Sequence, residues 1–206
     1  MKLCVKNLSA KRGEDRLFDH LSFTLNEGQL MTIIGSNGIG KSTLLRIIAG
    51  FLNPEEGNVF LTEESFHFPV SSACHYLGTQ NAMKTHLSVL DNLTFWANFH
   101  DKPFLSPQDA LNAVELSGVE TLPFGVLSTG QKRRVAIARL LLSFHPLWIL
   151  DEPTSGLDSI AVDIFTKLLK RHLDNKGMII AATHLPLGLD VNINIALGDY
   201  LPDWEY

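Results

Sequence analysis

The chain has 206 residues, 45% of them hydrophobic and 19% charged, with 17 basic against 22 acidic side chains and a formal charge of −5. That composition suits one globular domain and excludes disordered, collagenous and fibrous classes. With no basic run longer than three, a broad nucleic-acid-binding face is excluded too, and two cysteines (Cys4 and Cys74) are too few for a disulfide scaffold, which fits a reducing compartment.

In chain order, Met1 to Asn7 has no apolar core of signal-peptide length. Leu21–Asn26 alternates like a half-buried strand and ends on the turn Asn26-Glu27-Gly28. Leu30–Ile34 is a continuous apolar run, the pattern of a central strand covered on both faces. Lys41–Ala49 has helical spacing, with Gly50 placed to end it. Gly57–Leu61 reads as a further short strand. From about Thr79 to Leu142 the spacing predicts a mostly helical segment. Its helices are expected near Asp91–Phe99 (capped by Ser88 or Asp91), Pro107–Leu116 and Gly130–Ser143. Leu140–Leu150 is the most apolar stretch, yet its eleven residues include Pro146. A membrane-spanning helix needs about twenty, so the chain is expected to be soluble. Strand spacing returns at Leu147–Leu150, followed by a helix over Ile160–Leu173, a strand at Met178–Ala182, a last alternation at Ile193–Ala196 and a polar tail. The outline is an α/β core with a helical insert.

Three clusters carry chemistry. Gly35-Ser36-Asn37-Gly38-Ile39-Gly40-Lys41-Ser42, followed by Thr43, fits the phosphate-loop pattern between a predicted strand and a predicted helix. Glycines there let backbone N–H groups wrap a phosphate. Lys41 can reach the β- and γ-phosphates, and Ser42 can offer its hydroxyl to Mg²⁺. The strand Trp148–Leu150 ends in Asp151-Glu152, which sets two carboxylates at the sheet edge where ligands of α/β proteins collect. Asp151 is the candidate Mg²⁺ ligand and Glu152 the candidate base for an attacking water. Leu127-Ser128-Thr129-Gly130-Gln131 then opens a helix just before that strand.

This last motif resembles the signature of ATP-binding-cassette (ABC) ATPases, with Thr129 where the family's middle glycine usually stands. The rest of the family pattern falls in order, from about Lys2 to His184. Gln80 is similar to the Q-loop glutamine, a Mg²⁺ ligand that also faces the reaction. Asp151 and Glu152 resemble the Walker B pair, Ser155-Gly156-Leu157-Asp158 the D-loop, and His184 the switch histidine. Arg12 stands where the family usually carries an aromatic residue to stack on adenine, and a guanidinium plane can serve there. The resemblance implies an α/β phosphate-loop NTPase core with an N-terminal antiparallel β subdomain and a helical insert. All of it forms one ABC ATPase domain over 1–206, with the core at about 1–78 and 144–206 and the helical subdomain at about 79–143. It further implies ATP and Mg²⁺ as cofactors, with Glu152, His184 and Gln80 catalytic. Ser128, Thr129, Gly130, Gln131 and Asp158 would meet the nucleotide of a second protomer.

Within the family, Tyr76–Lys84, Leu87–Trp96, Leu127–Val135 and Pro146–Pro153 resemble the ATP-binding subunits of cytochrome c maturation, or haem exporter, systems. That resemblance implies a peripheral subunit on the cytoplasmic face of a bacterial inner membrane. Its partners would be a multispanning permease and a haem-handling complex, with no nucleic acid. An ABC subunit for another cargo, and a soluble non-transport ABC ATPase, stay open at this point. Phe95, Trp96, Phe99 and Phe104 give the insert enough aromatic area to dock a membrane partner's helix, but core packing is the simpler account. Lys132, Arg133 and Arg134 read as a solvated helix face.

Overall fold

A computed structural model describes residues 1–64, 66–99 and 104–201. Strands β1 (Lys2–Arg12) and β2 (Asp15–Asn26) form an antiparallel hairpin that turns at Gly13. With β4 (Glu56–Glu63) and β5 (Phe66–Phe68) they make a four-stranded antiparallel sheet in the order β2-β1-β4-β5. The β1 register slips against β4 between Lys6 and Ser9, where Asn7 has a φ of 49°. Gly57 lies so close there that a Cβ would collide with the carbonyl oxygens of Lys6 and Asn7, so only glycine fits.

The second sheet is parallel throughout. Strands β3 (Leu30–Ile34), β6 (Cys74–Leu77), β7 (Leu147–Asp151), β8 (Met178–Ala182) and β9 (Ile193–Ala196) run in the order β6-β7-β8-β3-β9. The apolar runs of β3, β7 and β8 have the physical cause expected of them, since both faces of the sheet are covered. Leu147, Ile149, Met178 and Ile180 enter the core shared with the antiparallel sheet and helix α1 (Lys41–Ile48). Trp148, Leu150, Ile179 and Ala181 enter a second core. That core is filled from the other side by α2 (Val89–Phe99), α3 (Pro107–Ala113), α4 (Thr129–Leu140) and α5 (Ser159–Asp174).

Helices α2, α3 and α4 lie in sequence between β6 and β7 and pack on one another. Their starts follow local chemistry. Ser88 Oγ accepts from Asp91 N–H at 3.0 Å, so Ser88 and not Asp91 caps α2; Ser106 caps α3 in the same way, with Pro107 at its first position. The segment is less helical than its composition suggests. Residues 78–88 are irregular, held by buried Asn92, whose amide donates to the Lys84 and Ser88 carbonyls and accepts from Lys84 N–H. Of the polar tail, residues 202–206 lie outside the described residues. No helix among those described is long and apolar enough to cross a membrane.

Candidate active site

The carboxyl ends of β3, β7 and β8 share one edge of the parallel sheet, because the register pairs Ile33 with Ala182 and Asp151 with Ala182. That register brings the phosphate loop, the acidic pair and the residues after β8 together. The loop leaves β3 at Gly35 and enters α1 through Gly40, whose φ of 117° only glycine adopts without strain. No side chain caps α1, so the first N–H groups of the helix stay open toward an anion. Lys41, buried at 9% exposure, arches back to donate from Nζ to the Gly35 and Ser36 carbonyls at 2.7 and 3.1 Å. The ammonium thus hangs over the loop while Ser36, Asn37 and Gly38 face solvent and Ile39, Ser42 and Thr43 are half-buried. Arg12, at the end of β1, reaches across this loop to Thr43 Oγ1 at 3.4 Å. The sequence-predicted base-stacking residue is therefore beside the phosphate-binding helix.

At the end of β7, Asp151 is 2% exposed, and its Oδ2 is buried with no hydrogen-bond partner among the described residues. A buried, unpaired carboxylate oxygen is costly unless a cation or a donor meets it, so the site fits Mg²⁺. Glu152 follows in the left-handed region at φ 43°, a conformation a side chain rarely adopts, and its N–H donates to Ala182 O at 2.9 Å. The turn aims its carboxylate at His184, with Oε2 3.0 Å from Nδ1. Glu152 is three-quarters buried and His184 is open to solvent. Gln80 lines a groove of about 720 Å³ together with Phe51, Tyr76, Trp96 and Arg139.

The signature residues open α4. Ser128 Oγ accepts from Gln131 N–H at 3.2 Å and Gln131 Oε1 accepts from Ser128 N–H at 2.9 Å, a closed capping box. Gln131 thereby serves the helix start directly. The Thr129 methyl has room because Gly156 faces it; a Cβ on Gly156 would come within 3.1 Å of Thr129 Cγ2. Asp158 caps α5 through Ala161 N–H at 2.8 Å and pairs with Arg134 at 3.1 Å. These bonds, that to Ala161 foremost, hold its carboxyl below the usual range.

Two expectations are corrected. Arg133 is no part of a solvated face: it is 4% exposed, and burial lowers its pKa to about 10, which still leaves it a cation. The missed signal is spacing, for Arg133 shares one side of α4 with Ala136, Ile137 and Leu140. Nor are most of the insert's aromatics in the core: Phe95, Phe99 and Phe104 are 54%, 69% and 59% exposed. Trp96 lies against Arg139, whose guanidinium stands 4.6 Å from the ring centre, and forms an edge contact with Phe95 at 5.6 Å.

Comparison with known proteins agrees with the fold. The ABC transporter family pattern matches residues 18–155. Over its whole length the chain is 58% identical to the cytochrome c biogenesis ATP-binding export protein CcmA of Bartonella henselae, covering 99% of that relative. It is 52% identical to the protein of the same description from Mesorhizobium japonicum, over 92% of this chain and 95% of the relative. Among solved structures, an ABC transporter ATP-binding protein from Pyrococcus furiosus superposes with a TM-score of 0.82 at 27% identity, over 98% of this chain and all of that one. An ATP-binding cassette in a dimeric post-hydrolysis state, bound to ADP and phosphate, superposes with a TM-score of 0.77 at 26% identity, over 89% of this chain and 88% of that one.

Proposed function

The chain belongs to the ABC transporter family, and on that premise we propose how its residues divide the work of an ATP-hydrolysing subunit in c-type cytochrome biogenesis. It is the ATP-binding subunit of a haem-export type of complex, an ATPase that yields ADP and phosphate. The observation that carries the catalytic assignment is the contact between Glu152 Oε2 and His184 Nδ1, on a backbone turned left-handed to make it.

The phosphate chain of ATP lies along residues 35–43, with Lys41 giving up its carbonyl contacts to meet the β- and γ-oxygens. Arg12 stacks on the base. Ser42, Gln80 and buried Asp151 would hold Mg²⁺, which would supply charge neutralisation to the phosphates of ATP. Glu152 orients the attacking water and accepts its proton as the new oxygen–phosphorus bond forms and ADP departs. His184 keeps Glu152 aimed, and in its charged form has a second N–H, on Nε2, to donate to the γ-phosphate.

A second copy of the chain completes each site. Ser128, Thr129 and Gly130 present a hydroxyl and a helix N-terminus to the γ-phosphate across the dimer, and Asp158 holds the adjacent loop. ATP closes the pair and hydrolysis releases it. The exposed aromatic Phe99 lines, with Trp96, the groove that takes a cytoplasmic helix of a multispanning membrane partner. That partner holds the subunit on the cytoplasmic face of the inner membrane and links it to haem handling.

Glu152→Gln tests the catalytic assignment. ATP binding should persist, with turnover reduced by about 1000-fold and an ATP-bound dimer trapped on size exclusion. Undiminished turnover would remove Glu152 as the base. In a strain lacking the gene, the same variant should fail to restore haem-stained c-type cytochromes.

A further inference from the structure

Arg133 holds more of the site together than any other side chain. From the second turn of α4, its Nε donates to Pro153 O at 3.0 Å. Nη1 donates to Gly78 O at 2.6 Å and lies 3.5 Å from Asn81 Oδ1; Nη2 donates to Asp151 O at 3.0 Å and to Glu152 O at 2.9 Å. One planar fork thus spans the segment that leads into Gln80 and the carbonyls on both sides of the Glu152 residue plane. A cavity of about 230 Å³ opens beside it, lined by Thr79, Asn81, Thr129, Arg133, Glu152 and Ser155.

Glu152 needs such a clamp. Its left-handed backbone is sparsely populated for any residue with a Cβ, and persists only where its surroundings over-determine it. Ala182 O fixes its N–H from one side. On the other side Arg133 donates to the carbonyls of Asp151 and Glu152, and without it the Glu152 carbonyl would keep the Ser155 N–H at 3.2 Å but lose its charged donor. Gly78 is equally constrained, because a Cβ there would press to 2.8 Å on the Tyr76 ring. The guanidinium remains charged despite its burial, so each of its bonds is charge-assisted.

We infer that Arg133 is a positioning residue that fixes the left-handed turn of Glu152 and ties it to the Gly78–Asn81 segment, so that the aim of the catalytic carboxylate depends on where that segment and α4 sit. This rests on the reading of Glu152 as the base. Movement of the helical layer relative to β7 then reaches the carboxylate through one side chain, with no need to move the phosphate loop. Lysine can answer only part of the role, since its three N–H groups cannot reproduce a planar fork of five.

The test measures ATP turnover and ATP binding on the full chain for Arg133→Met, Arg133→Lys, Glu152→Gln and the double variant Arg133→Met/Glu152→Gln. Arg133→Met should lower kcat about 100-fold, the scale of a misplaced catalytic group, while KM for ATP changes by less than about threefold. Arg133→Lys should recover part of that kcat. In the double variant the residual turnover of Glu152→Gln should fall no further, because the carboxylate that Arg133 aims is already gone. An unchanged kcat in Arg133→Met overturns the inference, as does a parallel fall of kcat and ATP binding in both Arg133 single variants, or a fully additive loss in the double variant. Should Arg133→Met fail to fold, Arg133→Lys decides: lowered kcat at unchanged KM supports the role, and wild-type kcat overturns it. Wild-type turnover by Glu152→Gln would instead remove the base itself, whatever Arg133 does.

Discussion

Helices α1 and α4 both start at a motif assigned above to the phosphates of ATP, but they treat their first turns in opposite ways. Helix α1 begins at a left-handed glycine with no capping side chain, and its N–H groups are left for a ligand. Helix α4 begins with Ser128 and Gln131 locked in a reciprocal cap, which already satisfies the Ser128 and Gln131 N–H groups. The difference fits the division proposed above, in which each start serves one side of a shared nucleotide. An uncapped start is stabilised by what binds to it, so it suits a site where one chain holds ATP continuously. A capped start needs no ligand, so it suits a surface that meets the nucleotide only when the dimer closes. The cap also leaves Ser128 prepared. Its oxygen already accepts from Gln131 N–H, so its own O–H is free to donate outward.

The strongest way to break this contrast is Lys41→Ala. The open helix start would lose its only ammonium, and ATP binding by fluorescence should weaken by at least about 100-fold, with turnover lost. Ser128→Ala should behave differently. Binding of ATP to the single chain should stay near wild type, while steady turnover falls by about 30-fold because dimer closure lacks a donor. It should also lower stability by about 1 kcal/mol in urea denaturation, for the lost cap. Gln131→Ala sharpens the comparison further: a similar or smaller loss of stability, with turnover changed by less than about threefold, would separate the cap from the hydroxyl.

A last prediction concerns a residue remote from both helix starts. His172, near the end of α5, is buried flat against Trp148 at 4.2 Å, and burial pulls its pKa down to about 4. The unfolded chain takes up this proton first, so stability is complete above the ordinary imidazole range and declines as pH falls toward 4. Between pH 7 and pH 5.5 the loss should be about 1 kcal/mol, measured by denaturant midpoint. His172→Gln should remove that slope; an unaltered slope would show that other groups carry it.

The parts of this molecule legible in the sequence are those where chemistry forces residue types at fixed spacing. Residues 35–43 and the apolar strand ending in Asp151-Glu152 leave few other foldings, since a ligand-facing backbone needs glycine and a doubly covered strand needs an unbroken apolar run. Strands β5 and β6 were hidden for the opposite reason. Each is four residues or fewer and carries His67 or His75 beside aromatic side chains, so neither alternation nor an apolar run shows. The clamp at Arg133 was masked by its neighbours Lys132 and Arg134, and only the helical period separates it from them. Nothing local foretells the contact of Glu152 with His184, because it is made by the register of β7 on β8.

Strand β7 is a party wall. Alternate side chains answer to different interiors, Leu147 and Ile149 on one side, Trp148 and Leu150 on the other, and the next residue is the buried Asp151. A carboxylate mounted at the end of such a wall is anchored twice. Loosening one room leaves it held by the other, so damage to either core should degrade catalysis gradually.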